Sequence, residues 1–188
     1  MSVFSFSLFS MKISSFHALF LHELFDLYDA EHQIIEALPK MIDDATNEEL
    51  KEALAEHLEK TKTHVDRLED IFTILDVDAK RETCQGMEGL LEEGDKTMSR
   101  IKIPEVMDCA IISAVQRVEH YEMAGYGTAR CFAEMMGHDE AADLLQETLE
   151  EESEADRLLS GIAEDTVNTK AMQEASGMGE EEEMVKSK

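Results

Sequence analysis

Midway along the stretch Val106–Gly137, Glu119 and Glu122 stand three residues apart. On a helix that spacing puts both carboxylates on one face, about one turn from each other. Val115 precedes them on that face, and Tyr126 and Ala129 follow, so two acids interrupt an apolar stripe. An unpaired carboxylate is costly to bury; such a group is protonated, paired or bound to a metal. The spacing alone has little specificity in so acidic a chain, since Glu49/Glu52 and Glu56/Glu59 share it. Placement within an apolar seam is what singles out this pair.

The same interruption recurs elsewhere. Leu24, Glu31 and Leu38 fall at seven-residue intervals, which sets Glu31 between two leucines of a helical seam. A second stripe reads Leu50, Leu54, His57, Thr61, His64, Leu68, Ile71, Leu75, with two histidines at its centre. Neutral imidazole is the commonest nitrogen ligand for metals. A third reads Ala141, Leu144, Leu145, Thr148, Glu151, Ala155, Leu158, Ile162, with Glu151 seven residues from both Leu144 and Leu158 and Glu154 one turn on. Each residue also has a purely structural reading. A seam Glu can sit at a solvated edge, a lone inward His is usually a hydrogen-bonded core residue, and an acidic run such as Glu150–Glu154 usually faces water.

Four helices must carry these groups. The first spans about Phe16–Ile42. Thr46-Asn47-Glu48-Glu49 has the form of a capping box and starts a second, which runs to about Leu75. A long connection over Asp76–Lys102 contains a short helix near Gly86–Ser99. Pro104 suits the first turn of the third long helix, Gly137 its end, and Asp139 the cap of the fourth, which runs to about Ala163. The expected fold is an all-α antiparallel four-helix bundle over residues 16–165, paired as two hairpins through that crossover. Residues 1–15 read as a disordered or non-native extension: Ser repeatedly breaks the apolar run, and no basic residue precedes it. Residues 166–188 read as a disordered acidic tail.

Composition narrows the function. The chain of 188 residues carries 43 acidic and 17 basic side chains, a net charge of −26. Such a surface repels phosphate backbones and argues against nucleic acid as a partner. The N-terminal apolar run is too short and too polar to span a membrane. Three cysteines without Cys-x-x-Cys spacing argue against a disulfide framework and for a reducing, cytoplasmic setting.

If antiparallel helices align their middles, Glu31, Glu119, Glu122 and Glu151 converge with one or both of His57 and His64. Like charges at close range raise each other's pKa, so four carboxylates need cations to stay ionised. Two divalent metals would neutralise them, and oxygen-plus-imidazole donors suit iron or manganese.

The segments LHELFDLYDAEHQIIEALPKM, HLEKTKTHVDRLEDIF, QRVEHYEMAGYGTARCFAEMMG and LLQETLEEESEADRLL resemble, in order, those of the YciF-type ferritin-like stress proteins. The resemblance covers about Phe16 to Glu164, and QRVEHYE-x-AGYGT is its most specific part. It implies a ferritin-like bundle, usually dimeric, with a dinuclear metal centre and a link to stress responses. By that resemblance Glu31, Glu119 and Glu151 match the carboxylate ligands, Glu122 the extra third-helix Glu of rubrerythrins, and His64 the second-helix His. Thr61 stands where the second-helix Glu would be, so His57 is expected to substitute for it. Glu154 stands where the fourth-helix His would be, and the chain contains no Glu-x-x-His.

The leading expectation is a dinuclear iron or manganese protein that reacts with peroxide or oxygen, peroxidase- or catalase-like. Glu31, His57, His64, Glu119, Glu122, Glu151 and Glu154 are its candidate ligands. Glu122 would shift between ligand and base, and Tyr121 or Tyr126 would donate hydrogen bonds. Iron storage without turnover, and a metal-free helical interaction module whose polar layer sets register, are the alternatives.

Overall fold

The computed structural model describes residues 13–174, which are almost entirely helical. Four long helices, α1 (Phe16–Asp44), α2 (Glu48–Ile74), α4 (Pro104–Met136) and α5 (Asp139–Ile162), form the bundle, and the short α3 (Gln85–Met98) lies in the crossover. The hairpins α1–α2 and α4–α5 pack together through α1 on α4 and α2 on α5, while α3 covers α4 and α1. This is the ferritin-like arrangement expected from the sequence, with the extra helix between the second and third long ones.

Local chemistry explains the helix ends. Ser15 accepts from the Ala18 amide and starts α1. Asn47, rather than Thr46, caps α2 by accepting from the Leu50 amide at 3.0 Å. The Thr46 amide and hydroxyl, each at 2.7 Å, and the Asn47 amide at 3.0 Å all donate to Asp108 of α4. That buried carboxylate therefore pins the α1–α2 turn to the other hairpin. Gly137, at φ 78°, closes α4 in the left-handed conformation that glycine adopts without steric cost.

The interior consists of two apolar clusters with a polar layer between them. One contains Leu24, Phe25, Leu68, Phe72, Tyr126, Ala129 and Leu145. The other contains Leu38, Leu50, Leu54, Ile111, Val115, Leu159 and Ile162. Every long helix passes from one cluster to the other, and each does so at its polar residues: Glu31; His57, Thr61 and His64; Glu119 and Glu122; Thr148 and Glu152. Antiparallel packing brings these interruptions to one level.

The helical path does not stop at Asp165. A π-helical turn, Ala163–Val167, is followed by helix over 168–174. Val167 and Ala171 are buried, so the first nine residues of the expected tail belong to the fold. A regular helix leaving Ile162 would turn Asp165 and Thr166 inward. The extra residue of a π turn shifts the phase and turns Val167 inward instead. Residues 1–12 and 175–188, where disorder is also expected, lie outside the described residues.

Candidate metal centre

Two groups of buried donors meet in the polar layer. His57, Glu119, Glu122 and Glu152 form one, and Glu31, His64 and Glu152 the other; within each group one ligand atom per residue lies within 4.8 Å of all the others. Glu152 belongs to both. No donor in either group is more than 6% exposed.

The donors are close but poorly bonded to one another. His57 Nε2 is 3.2 Å from Glu119 Oε1. His64 Nδ1 is 2.9 Å from Glu152 Oε1 and 3.4 Å from Glu31 Oε1. None of these contacts has hydrogen-bond geometry. Both oxygens of Glu119, Glu122 and Glu152, both nitrogens of His57, Glu31 Oε2 and His64 Nδ1 have no hydrogen-bond partner. Buried polar atoms are normally satisfied, so this concentration of orphans at one level calls for an explanation. An ion shared among the donors provides one. Once ionised, the four carboxylates Glu31, Glu119, Glu122 and Glu152 would match the charge of two divalent cations.

The electrostatics agree. Burial first, then neighbouring carboxylates, pushes Glu119 and Glu122 well above the usual carboxyl range. Burial acts the same way on Glu152, but the close approach of Glu119 and His64 and the charges of His57 and His64 outweigh it and hold this group down to about 2. Burial lowers His57. It acts downward on His64 too, yet Glu31 and Glu152 override it and raise that imidazole to about 10. Protons thus partly do what metal ions would do here.

Around the donors lies a supporting layer. The Tyr126 hydroxyl, fully buried, donates to Glu31 Oε1. Thr61 bonds back to the His57 carbonyl at 2.9 Å. On the far side of the imidazole, His64 Nε2 meets Glu151 Oε2 at 2.9 Å. Arg67 holds Glu151 in turn through a two-pronged contact.

The sequence-derived candidates divide accordingly. Glu31, His57, His64, Glu119 and Glu122 come together. Glu151 does not face the other carboxylates: its side chain is 29% exposed and is held low by Arg67. Glu154 is exposed. Tyr121 points away from the layer and bonds Asp26 and Cys84. Glu152 was missed. The cause is a run of doublets, Leu144-Leu145, Glu151-Glu152 and Leu158-Leu159, which gives α5 two equally good heptad phases. The fold uses the second, burying Leu145, Glu152 and Leu159 and leaving Leu158 47% exposed.

Comparison with known proteins agrees with this architecture. Residues 15–172 match the family model described as "Domain of unknown function (DUF892)". The chain is similar to Protein YciF of Escherichia coli strain K12, 40% identical over 166 residues that cover 88% of this chain and all of the relative. The crystal structure of the E. coli stress protein YciF superposes with a TM-score of 0.79 at 40% identity, covering 83% of this chain and 99% of that one. YcfI from Rhodopseudomonas palustris gives the same TM-score at 42% identity, covering 81% and 97%. A protein from Xanthomonas campestris pv. campestris, 20% identical with a TM-score of 0.67 over 86% of this chain and 99% of its own, shares the fold.

Proposed function

This chain belongs to the DUF892 family, the YciF type within the ferritin-like superfamily, and on that premise we propose that it is a dinuclear iron or manganese protein that reacts with peroxide or oxygen. The observation that carries the reading is the set of orphaned donors, arranged as two groups that share Glu152. His57, Glu119 and Glu122 would hold one ion and Glu31 and His64 the other, with Glu152 between them. Carboxylate and imidazole donors suit iron and manganese.

Bound metals would supply an electron source and a Lewis acid for an oxygen-containing substrate. The chain's own residues do the rest. Glu122, buried and inclined to hold a proton, serves as ligand or base according to its protonation. Tyr126 fixes the orientation of Glu31. Glu151 fixes the imidazole of His64 and leaves Nδ1 to face the other donors. The apolar clusters above and below exclude bulk water, which strengthens every charge interaction in the layer.

The E. coli relative is called a stress protein, and we extend a stress-related role to this chain. We also assign it a homodimeric state and a cytoplasmic location. Its three cysteines are free, and among the described residues no helix is long and apolar enough to cross a membrane. The deciding experiment is elemental analysis of protein purified without chelator, followed by measurement of peroxide loss in solution. Folded protein that holds no metal would end this reading in favour of a metal-free interaction module. A large hollow assembly on a sizing column would favour storage over a dimeric redox protein.

A further inference from the structure

Outside the polar layer, Cys84, Tyr121 and Asp26 form a second constellation. Cys84 is fully buried at the start of α3, where its sulfur accepts from the Met87 amide at 3.3 Å. Its Sγ lies 3.1 Å from the Tyr121 hydroxyl and 3.1 Å from Asp26 Oδ2. The Tyr121 hydroxyl donates to the same Asp26 oxygen at 2.7 Å. Gly86 makes this approach possible: a Cβ there would come within 2.6 Å of Tyr121 Cε2 and 2.8 Å of its hydroxyl oxygen.

A structural cap needs no phenol against its sulfur and no carboxylate receiving both protons. Direct attack on peroxide needs an accessible thiolate. Cys84 offers neither condition, because burial, reinforced by Asp26, pushes the thiol up to about 11. A thiol and a phenol in contact, with one carboxylate at both acidic hydrogens, are instead arranged for oxidation one electron at a time. Tyr121 adjoins Glu122 in α4, so its backbone lies one residue from a proposed metal ligand.

We propose that hydrogen peroxide acting on the metal-loaded protein joins Cys84 to Tyr121 through a thioether between Sγ and the ring carbon ortho to the hydroxyl. The S–H bond and one ring C–H bond break, and the S–C bond forms. Two electrons and two protons pass to one hydrogen peroxide, whose O–O bond breaks to give two waters. Asp26 relays the protons as they leave and ends as it began. The proposal rests on the dinuclear reading above.

The test loads the full-length protein in parallel with iron(II) and manganese(II), measures the metal bound, adds hydrogen peroxide, and maps peptides by mass spectrometry. The expected result is a joined Cys84–Tyr121 peptide pair lighter by two hydrogens. It should be absent from Cys84→Ser and Tyr121→Phe, and reduced at least tenfold in Gly86→Ala protein whose helicity and metal content are unchanged. Metal uptake without joined peptides, or oxygen added to Cys84 instead, overturns this proposal alone. Failure to take up either metal overturns the dinuclear reading and this proposal with it.

Discussion

Glu151 and Glu152 hold the same imidazole from opposite sides: Glu152 Oε1 lies 2.9 Å from His64 Nδ1, and Glu151 Oε2 lies 2.9 Å from Nε2. Adjacent in sequence, they have different surroundings. Glu152 is fully buried among other carboxylates, whereas Glu151 is part-exposed and tied to Arg67. Under the dinuclear reading proposed above, Glu152 would be a ligand and Glu151 the outer carboxylate that orients a ligating histidine.

The two should therefore behave differently when removed. Glu152→Ala is expected to abolish binding at both positions, because both donor groups include it. Glu151→Ala is expected to keep the stoichiometry and weaken affinity by about 10–100-fold, the usual cost of losing an outer-shell partner. Metal content after dialysis, with titration calorimetry on each variant, separates these outcomes.

Metal binding should release protons. His64, raised to about 10, carries a proton near neutrality, and Glu119 and Glu122, raised well above the usual carboxyl range, keep theirs to higher pH than ordinary carboxyls; a cation must displace these protons. Affinity should accordingly rise with pH. Calorimetry in two buffers of different ionisation enthalpy reads the proton count directly, and a count of zero would contradict the assignment of these residues as ligands.

Stability should depend on pH with a definite sign. A carboxyl whose folded pKa is raised contributes stability that is fully present below its unfolded pKa of about 4.3 and is lost as pH rises through the folded value. For Glu119 and Glu122 that makes chelator-treated protein progressively less stable from weakly acidic pH upward. Glu122→Gln removes one of these carboxyls and should flatten the slope, and added metal should reverse it in the wild type alone. Urea midpoints measured across pH provide the check.

The closeness of α1 to α4 can be tested without touching a polar residue. A Cβ at Gly125 would lie 2.7 Å from Leu27 Cδ2. Gly125→Ala should force that leucine to move and cost about 1–3 kcal/mol, the usual range for overpacking. Chemical denaturation measures it, and an unchanged midpoint would show that the contact has slack.

The sequence by itself determined the number and order of the helices, the crossover helix and most of the polar layer. Glu31 was legible because it falls midway between Leu24 and Leu38 at heptad spacing. Glu119 and Glu122 were legible because Val115 on one side and Tyr126 and Ala129 on the other continue an apolar stripe across them. Periodicity reports which residues share a face.

Only the tertiary structure decided the rest. In α5 the doublets leave two faces equally eligible, and packing against α2 and α4 selects the one that buries Glu152. The role of Glu151 depends on His64 and Arg67 from another helix, about which local spacing carries no information. The same is true of Tyr121, drawn to Asp26 and Cys84. At the C-terminus, the π turn changes the helical period itself, so a constant-period reading lost the burial of Val167 and Ala171. Helix formation is local and leaves its mark on neighbouring residues, whereas the angle at which one helix meets another is set by side chains distant in the chain.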